Sequence, residues 1–164
     1  MKPLANPERT WSPPEETVDV EAADIQRRVP DFGGDWDVLG GGHANTNIRL
    51  GDGRLLRIYR RDVDAVRKEE ALLGRPWSRL RVPKVLGAGR DFLLLEYVDH
   101  APLHGSAEHG AALGEALAEI HQQTFEHAGF IGTDATQVVR PFDTVVGDFF
   151  AHLESLSGVP KALR

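Results

Sequence analysis

Between positions 36 and 98 short apolar runs alternate with glycine-bearing turns, and beyond position 106 the apolar residues fall at helical spacing. Residues 36–39, 45–50 and 55–60 read as three strands. Gly40, Gly41, Gly42 and His43 link the first two, and an Asp52-Gly53 turn precedes the third. Alternation along the third strand puts Leu55, Arg57 and Tyr59 on one face and Leu56, Ile58 and Arg60 on the other. Ala65, Val66, Glu69, Leu72 and Leu73 then share one helical face, while Glu70 lies about 100° away around the helix. A carboxylate facing apolar neighbours needs a cation, and Arg57 is the candidate. Two more strands are expected at 82–86 and 92–98, split by Gly87 and Gly89.

Outside this block the pattern is helical. Residues 17–29 are arranged around Ile25 and closed by Pro30, a helix expected to pack on the sheet. A helix over 106–123 carries Leu113, Leu117, Ile120 and His121 on one face. Val145, Val146, Phe149, Phe150 and Leu153 form a further stripe, ended by Gly158, Val159 and Pro160. Residues 1–16, with Pro3, Pro7, Pro13 and Pro14, read as a polar tail. His100, His104 and His109 fall in the stretch read as loop. No ligand spacing accompanies His121, which is expected to be a packed, hydrogen-bonded histidine; no metal site is expected.

Composition narrows the function classes. The chain has 164 residues, 41% of them hydrophobic, and a net charge of −6, which argues against a nucleic-acid or anionic-membrane surface. It has no cysteine, which removes a disulfide scaffold and fits a reducing cytoplasm. No run approaches the ~20 apolar residues of a membrane span, and the proline-rich start does not read as a signal peptide. Arginine supplies fifteen of the nineteen cations, so a lone arginine carries little information by itself.

The glycine run lets backbone N–H groups approach an anion such as a triphosphate; the plainer reading is a hairpin whose glycines supply φ > 0. Two phosphate-binding motifs fall on context. A strand, not a helix, follows the glycines, and no Gly-Lys-Ser/Thr is present.

Six blocks in order resemble the aminoglycoside phosphotransferase and choline kinase-like family of small-molecule kinases. They are Gly41-Gly42-His43-Ala44-Asn45; Leu55-Leu56-Arg57; Lys68-Glu69 with Leu72-Leu73; and Val82-Pro83-Lys84-Val85-Leu86. Leu94-Leu95-Glu96-Tyr97-Val98-Asp99 with Pro102-Leu103, and Leu113-Gly114 with Leu117-Ala118 and Ile120-His121, complete the set. The resemblance implies an α+β fold: a kinase-like small lobe, with a five-stranded antiparallel sheet and one packed helix, plus the first helices of a large lobe. Residues 1–16 would be tail, 17–98 the nucleotide-binding lobe and hinge, and 99–164 a linker and incomplete helical lobe. It implies ATP as cosubstrate with Mg, and a small-molecule hydroxyl acceptor. Gly40, Gly41, Gly42, His43 and Asn45 would lie over the phosphates, and Leu55 over the adenine. Arg57 would reach the phosphates and be held by Glu69. Glu96 and Val98 would pair with adenine through backbone groups.

The family's His-Gly-Asp-x-x-x-x-Asn catalytic loop has no counterpart. His104-Gly105-Ser106 lacks the aspartate, and Gly147-Asp148 is followed by Leu153 where asparagine would stand. The expectation is therefore a truncated kinase, inactive alone, with catalytic and Mg-binding residues in a missing part. Its bare helical stripes would favour self-association. The alternative is a non-catalytic nucleotide-binding or interaction module.

Overall fold

The structure is a computed structural model that describes residues 20–39, 44–100 and 105–155. Gly40, Gly41, Gly42, His43, the 1–16 tail and Gly158, Val159 and Pro160 lie outside these residues, as does the side chain of Leu153. The elements in chain order are α1 (Ala22–Arg28), β1 (Trp36–Leu39), β2 (Asn45–Leu50), β3 (Arg54–Tyr59) and α2 (Ala65–Leu73). There follow β4 (Val85–Ala88), β5 (Phe92–Glu96), α3 (Ala107–His121), β6 (Gly129–Ile131), β7 (Val138–Pro141) and α4 (Phe142–Ser155). The first five strands make one antiparallel sheet in the order β1-β2-β3-β5-β4. The α+β class and the five-stranded sheet expected from the sequence are both present.

The turn before β3 sets the register. Gly53 has φ +87, open to glycine and strained for other residues. Its N–H donates to Leu50 O at 3.1 Å, and Asp52 Oδ1 accepts from Arg54 N at 3.2 Å. That closure pairs Asn47 with Arg57 and Thr46 with Ile58.

Strand alternation divides the core in two. Ile48, Leu50, Leu56, Ile58 and Leu94 pack with Ile25 and Val29 of the α1 segment and with Phe32. Tyr59, Leu93 and Leu95 pack on the opposite face with Val66 of α2, joined by Leu55, Ala65, Leu73 and Val85. Each fully buried aliphatic side chain contributes roughly 1.5–3 kcal/mol. At the end of α1, Arg28 donates to Asp91 in the β4–β5 turn and to Asp24 O at 2.9 Å. Hydrogen bonding to Arg28 holds the Asp91 carboxyl below its usual value.

Several expectations are corrected in detail. The strand expected at 82–86 is Val85–Ala88, because Pro83 has no N–H to give a ladder. The 92–98 strand ends at Glu96. His109 sits in the first turn of α3, not in a loop, since Ser106 caps that helix by accepting from His109 N at 3.1 Å. His121 is exposed rather than packed, and Leu113, Leu117 and Ile120 are 47%, 44% and 41% exposed, so the apolar face of α3 is open. Between α3 and α4 a hairpin, β6–β7, was not foreseen.

The polar side of α3 makes its attachment to the sheet unit. Glu119 accepts from the backbone N–H groups of Ser78, Arg79 and Leu80, which hold its carboxyl below the ordinary glutamate value.

Candidate functional site

One row of the sheet carries the polar chemistry. Leu39, the residue before the glycine run, pairs with Asn47; Asn47 pairs with Arg57, and Arg57 with Leu93. All four lie on the α2 side of the sheet, because residues paired directly across neighbouring strands share a face and Leu93 packs with Val66 of α2. Arg57 Nε donates to Asn47 Oδ1 at 2.9 Å. Its Nη1 donates to Glu69 Oε1, and the Tyr59 hydroxyl donates to the other oxygen, Oε2. Arg57 and Glu69 thus form an ion pair, with side chains 28% and 27% exposed.

The bonding is ordered. Glu69 is held on both oxygens, and two edges of the Arg57 fork are occupied. No hydrogen bond from Arg57 Nη2 is formed among the described residues. Nη2 therefore leaves one planar pair of donors for an anion. Tyr59 is 3% exposed, and burial, reinforced by the bond to Glu69, pushes its phenol well above its usual value. It remains a neutral donor.

The other residues singled out in the sequence are placed as follows. Asn45 begins β2, half-buried and paired with Tyr59. Leu55 is half-buried on the Arg57 face, opposite Leu95 and Arg49. Gly40, Gly41, Gly42 and His43 lie outside the described residues, between Leu39 and Ala44. Glu96 N donates to Lys84 O at 2.9 Å, whereas Tyr97 N donates to Gly53 O at 2.9 Å, toward β3. The Val98 carbonyl lies 3.1 Å from His100 Nδ1. Glu70 points away from Glu69 and pairs with Arg67 at 2.8 Å.

Asn47 and Tyr59 are members of the network that had no role assigned from the sequence. Alternation along the strand puts Tyr59 on the Arg57 face, and the same count offers it to Glu69. Asn47 needed the cross-strand register. His121 belongs elsewhere: with Leu72, Arg75, Trp77, Ile120 and Phe125 it lines a cavity of about 390 Å³ at the end of α3. Among the described residues no group of three or more His, Cys, Asp or Glu could hold a metal ion.

Two of the comparisons with known proteins, one with family models and one with solved structures, give matches. A family model described as the APH phosphotransferase enzyme family covers residues 35–142, from the start of the sheet to the first residue of α4. The chain is also similar to the solved ternary complex of APH(2'')-IIa with streptomycin and ATP, at 14% identity and a TM-score of 0.41. That alignment takes in 52% of this chain and 32% of the other, so the chain spans about a third of that protein's solved length. A comparison with curated proteins gives no match.

Proposed function

The chain belongs to the phosphotransferase enzyme family, and from that premise we propose that residues 17–98 are the nucleotide-binding lobe and hinge of a small-molecule kinase. Residues 99–164 are then its linker and the start of a helical lobe. The observation that carries this reading is Arg57, half-buried, fixed by Asn47 and Glu69, and in register with the strand end that leads into the glycine run. A guanidinium held in this way suits the oxygens of a nucleoside triphosphate, and each charge-assisted bond to them is short and directional. In kinases a strand cation held by a helix glutamate contacts the α- and β-phosphates.

In this reading the backbone of Gly40, Gly41, Gly42 and His43 closes over the phosphates, with Asn45 at the strand entry. Leu55 covers the adenine. Glu96 and Val98 offer the adenine backbone groups. The backbone bonds favour this: Tyr97 is turned to β3 and Glu96 away from it, and extended alternation sends Val98 to the Glu96 side, past the end of β4. The activity proposed is transfer of the ATP γ-phosphate to a hydroxyl of a small molecule.

ATP fits the donors present. For Mg, no group of three or more His, Cys, Asp or Glu stands together among the described residues, and no step is routed through it. The 164 residues contain no His-Gly-Asp-x-x-x-x-Asn pattern, so base and metal ligands are assigned to no residue here. This chain alone is expected to transfer no phosphate. A cytoplasmic location and self-association through the open helical stripes belong to the same proposal. No helix among the described residues is long and apolar enough to cross a membrane.

Calorimetric titration with ATP and with adenosine tests the reading. Arg57→Ala should weaken ATP binding about tenfold or more, the size of a lost charge-assisted bond, and leave adenosine binding nearly unchanged. Equal weakening of both ligands would remove Arg57 from the phosphates. In the same samples, with Mg-ATP and a panel of hydroxyl acceptors, ADP release should stay at background. Acceptor-dependent release would place a base within these residues.

A further inference from the structure

Residues 75–80, which join α2 to β4, run along α3 in the opposite chain direction. Their partners are Glu115, Glu119 and Gln123, four residues apart and so on one stripe of the helix and its end. Arg79 pairs with Glu115 at 2.9 Å, an exposed contact that contributes little. Arg75 donates to the Gln123 side chain and to the Ala135 carbonyl of the β6–β7 turn.

The centre of the stripe is different in kind. Glu119 Oε1 accepts from Ser78 N at 2.6 Å and from Ser78 Oγ at 2.8 Å. Its Oε2 accepts from Arg79 N at 2.7 Å and Leu80 N at 3.1 Å. Three successive backbone N–H groups converge on one carboxylate, the arrangement that cradles an anion. Here the anion is a side chain of another element. Three of the four donors are backbone, so little side-chain freedom is lost on the linker side. The same linker is tied to the helix that carries Glu69: Trp77 Nε1 donates to Leu72 O at 2.8 Å, and Arg75 N donates to Leu72 O at 3.3 Å.

We infer that Glu119 is a positioning residue: its carboxylate, seated on the N–H groups of Ser78, Arg79 and Leu80, clasps the α2–β4 linker to α3 and fixes the end of the helix that presents Glu69 to Arg57. A tilt of α3 is thereby passed to α2 through four residues of linker backbone. The clasp is made by contacts that need no nucleotide, so it goes beyond the nucleotide-binding proposal and stands or falls separately from it.

Residue-resolved amide hydrogen exchange on the whole 164-residue chain tests it. In Glu119→Ala the amides of Ser78, Arg79 and Leu80 should exchange about tenfold faster or more, as expected for lost hydrogen bonds to a charge. Those of Gly74 and Arg75, which close the end of α2, should follow severalfold, while Leu93 and Leu95 in the sheet keep the parent rates. Glu119→Gln retains one acceptor oxygen and should give a smaller rise over the same amides. It also serves as the working variant where the alanine change unfolds the chain. Arg79→Ala, which removes the Glu115 pair but no backbone donor, should leave Ser78 and Leu80 unchanged. Parent rates at Ser78, Arg79 and Leu80 in both Glu119 variants would overturn the clasp. Faster exchange throughout the sheet would make Glu119 a support of the fold instead. Release of the linker with Gly74 and Arg75 unaffected would overturn its reach to α2.

Discussion

The Tyr59 hydroxyl satisfies one oxygen of Glu69 while Arg57 satisfies the other, so a single side-chain change separates hydrogen bonding from charge. The phenol value is raised above 10.0 chiefly by burial and next by the bond to Glu69. The fold therefore favours the protonated form. The stability this contributes is fully present below pH 10.0, the unfolded value, and is lost as pH rises beyond it toward the folded value. The phenolate absorbance assigned to Tyr59, parent minus Tyr59→Phe, should be near zero at pH 10.0 in the folded chain and appear when urea unfolds it. A folded-state phenolate signal at that pH would mean that the hydroxyl is not buried against Glu69 as described. Tyr59→Phe itself should cost about 1–3 kcal/mol, the scale of a hydrogen bond to a charged group. Two periodicities made part of this network legible: the period of two put Arg57 and Tyr59 on one face, and the helical period turned Glu69 inward and Glu70 outward. Asn47 was hidden because its contact depends on how the Asp52-Gly53 turn closes. Glu119 was hidden for a deeper reason: its partners are backbone N–H groups, which every sequence has.

Elements were legible where the pattern was long and less so where it was short. The helix around Ile25 was expected on the sheet, and Ile25 is 2% exposed in the core with Ile48, Leu50 and Leu56. Ile25→Ala should cost roughly 2–5 kcal/mol through lost transfer energy and the cavity left behind. The loss should appear as a lower urea midpoint at an unchanged slope; an unmoved midpoint would show that α1 contributes no packing. The β6–β7 hairpin escaped notice because strands of three and four residues are too short to show alternation. Its available signal was Asp134, whose carboxylate accepts from Thr136 N at 3.0 Å and Thr136 Oγ1 at 2.7 Å to close the turn. Those bonds, the backbone one first, hold the Asp134 carboxyl below its usual value. The helix over 106–123 was placed correctly, but its contact face was not: the acidic stripe docks and the apolar stripe stays open.

Over the whole molecule, the two ends differ in what they bury. Val146, Phe149 and Phe150 on α4 are 48%, 57% and 54% exposed, and Phe142 is 50% exposed. At about 25 cal/mol per Å², a few hundred Å² of such surface leaves several kcal/mol of burial unrealised. That is comparable with the ~5–15 kcal/mol of a whole domain. The chain should therefore self-associate or bind a hydrophobic-surface dye, and Phe149→Asp with Phe150→Ser should reduce both. A monomer at high concentration with no dye binding would show these faces to be covered. Among the described residues, the buried hydrophobic side chains all lie at or before Leu95, except Ala135. The seam between the sheet unit and α3 is instead built of carboxylates, guanidinium groups and backbone N–H groups. Parting those polar contacts adds less to the heat capacity of unfolding and to the denaturant slope than opening the sheet core, where the fully buried aliphatic side chains lie. Dissolved electrolyte screens its charges directly. Heat and urea will report on the sheet, whereas ionic strength will report on the seam.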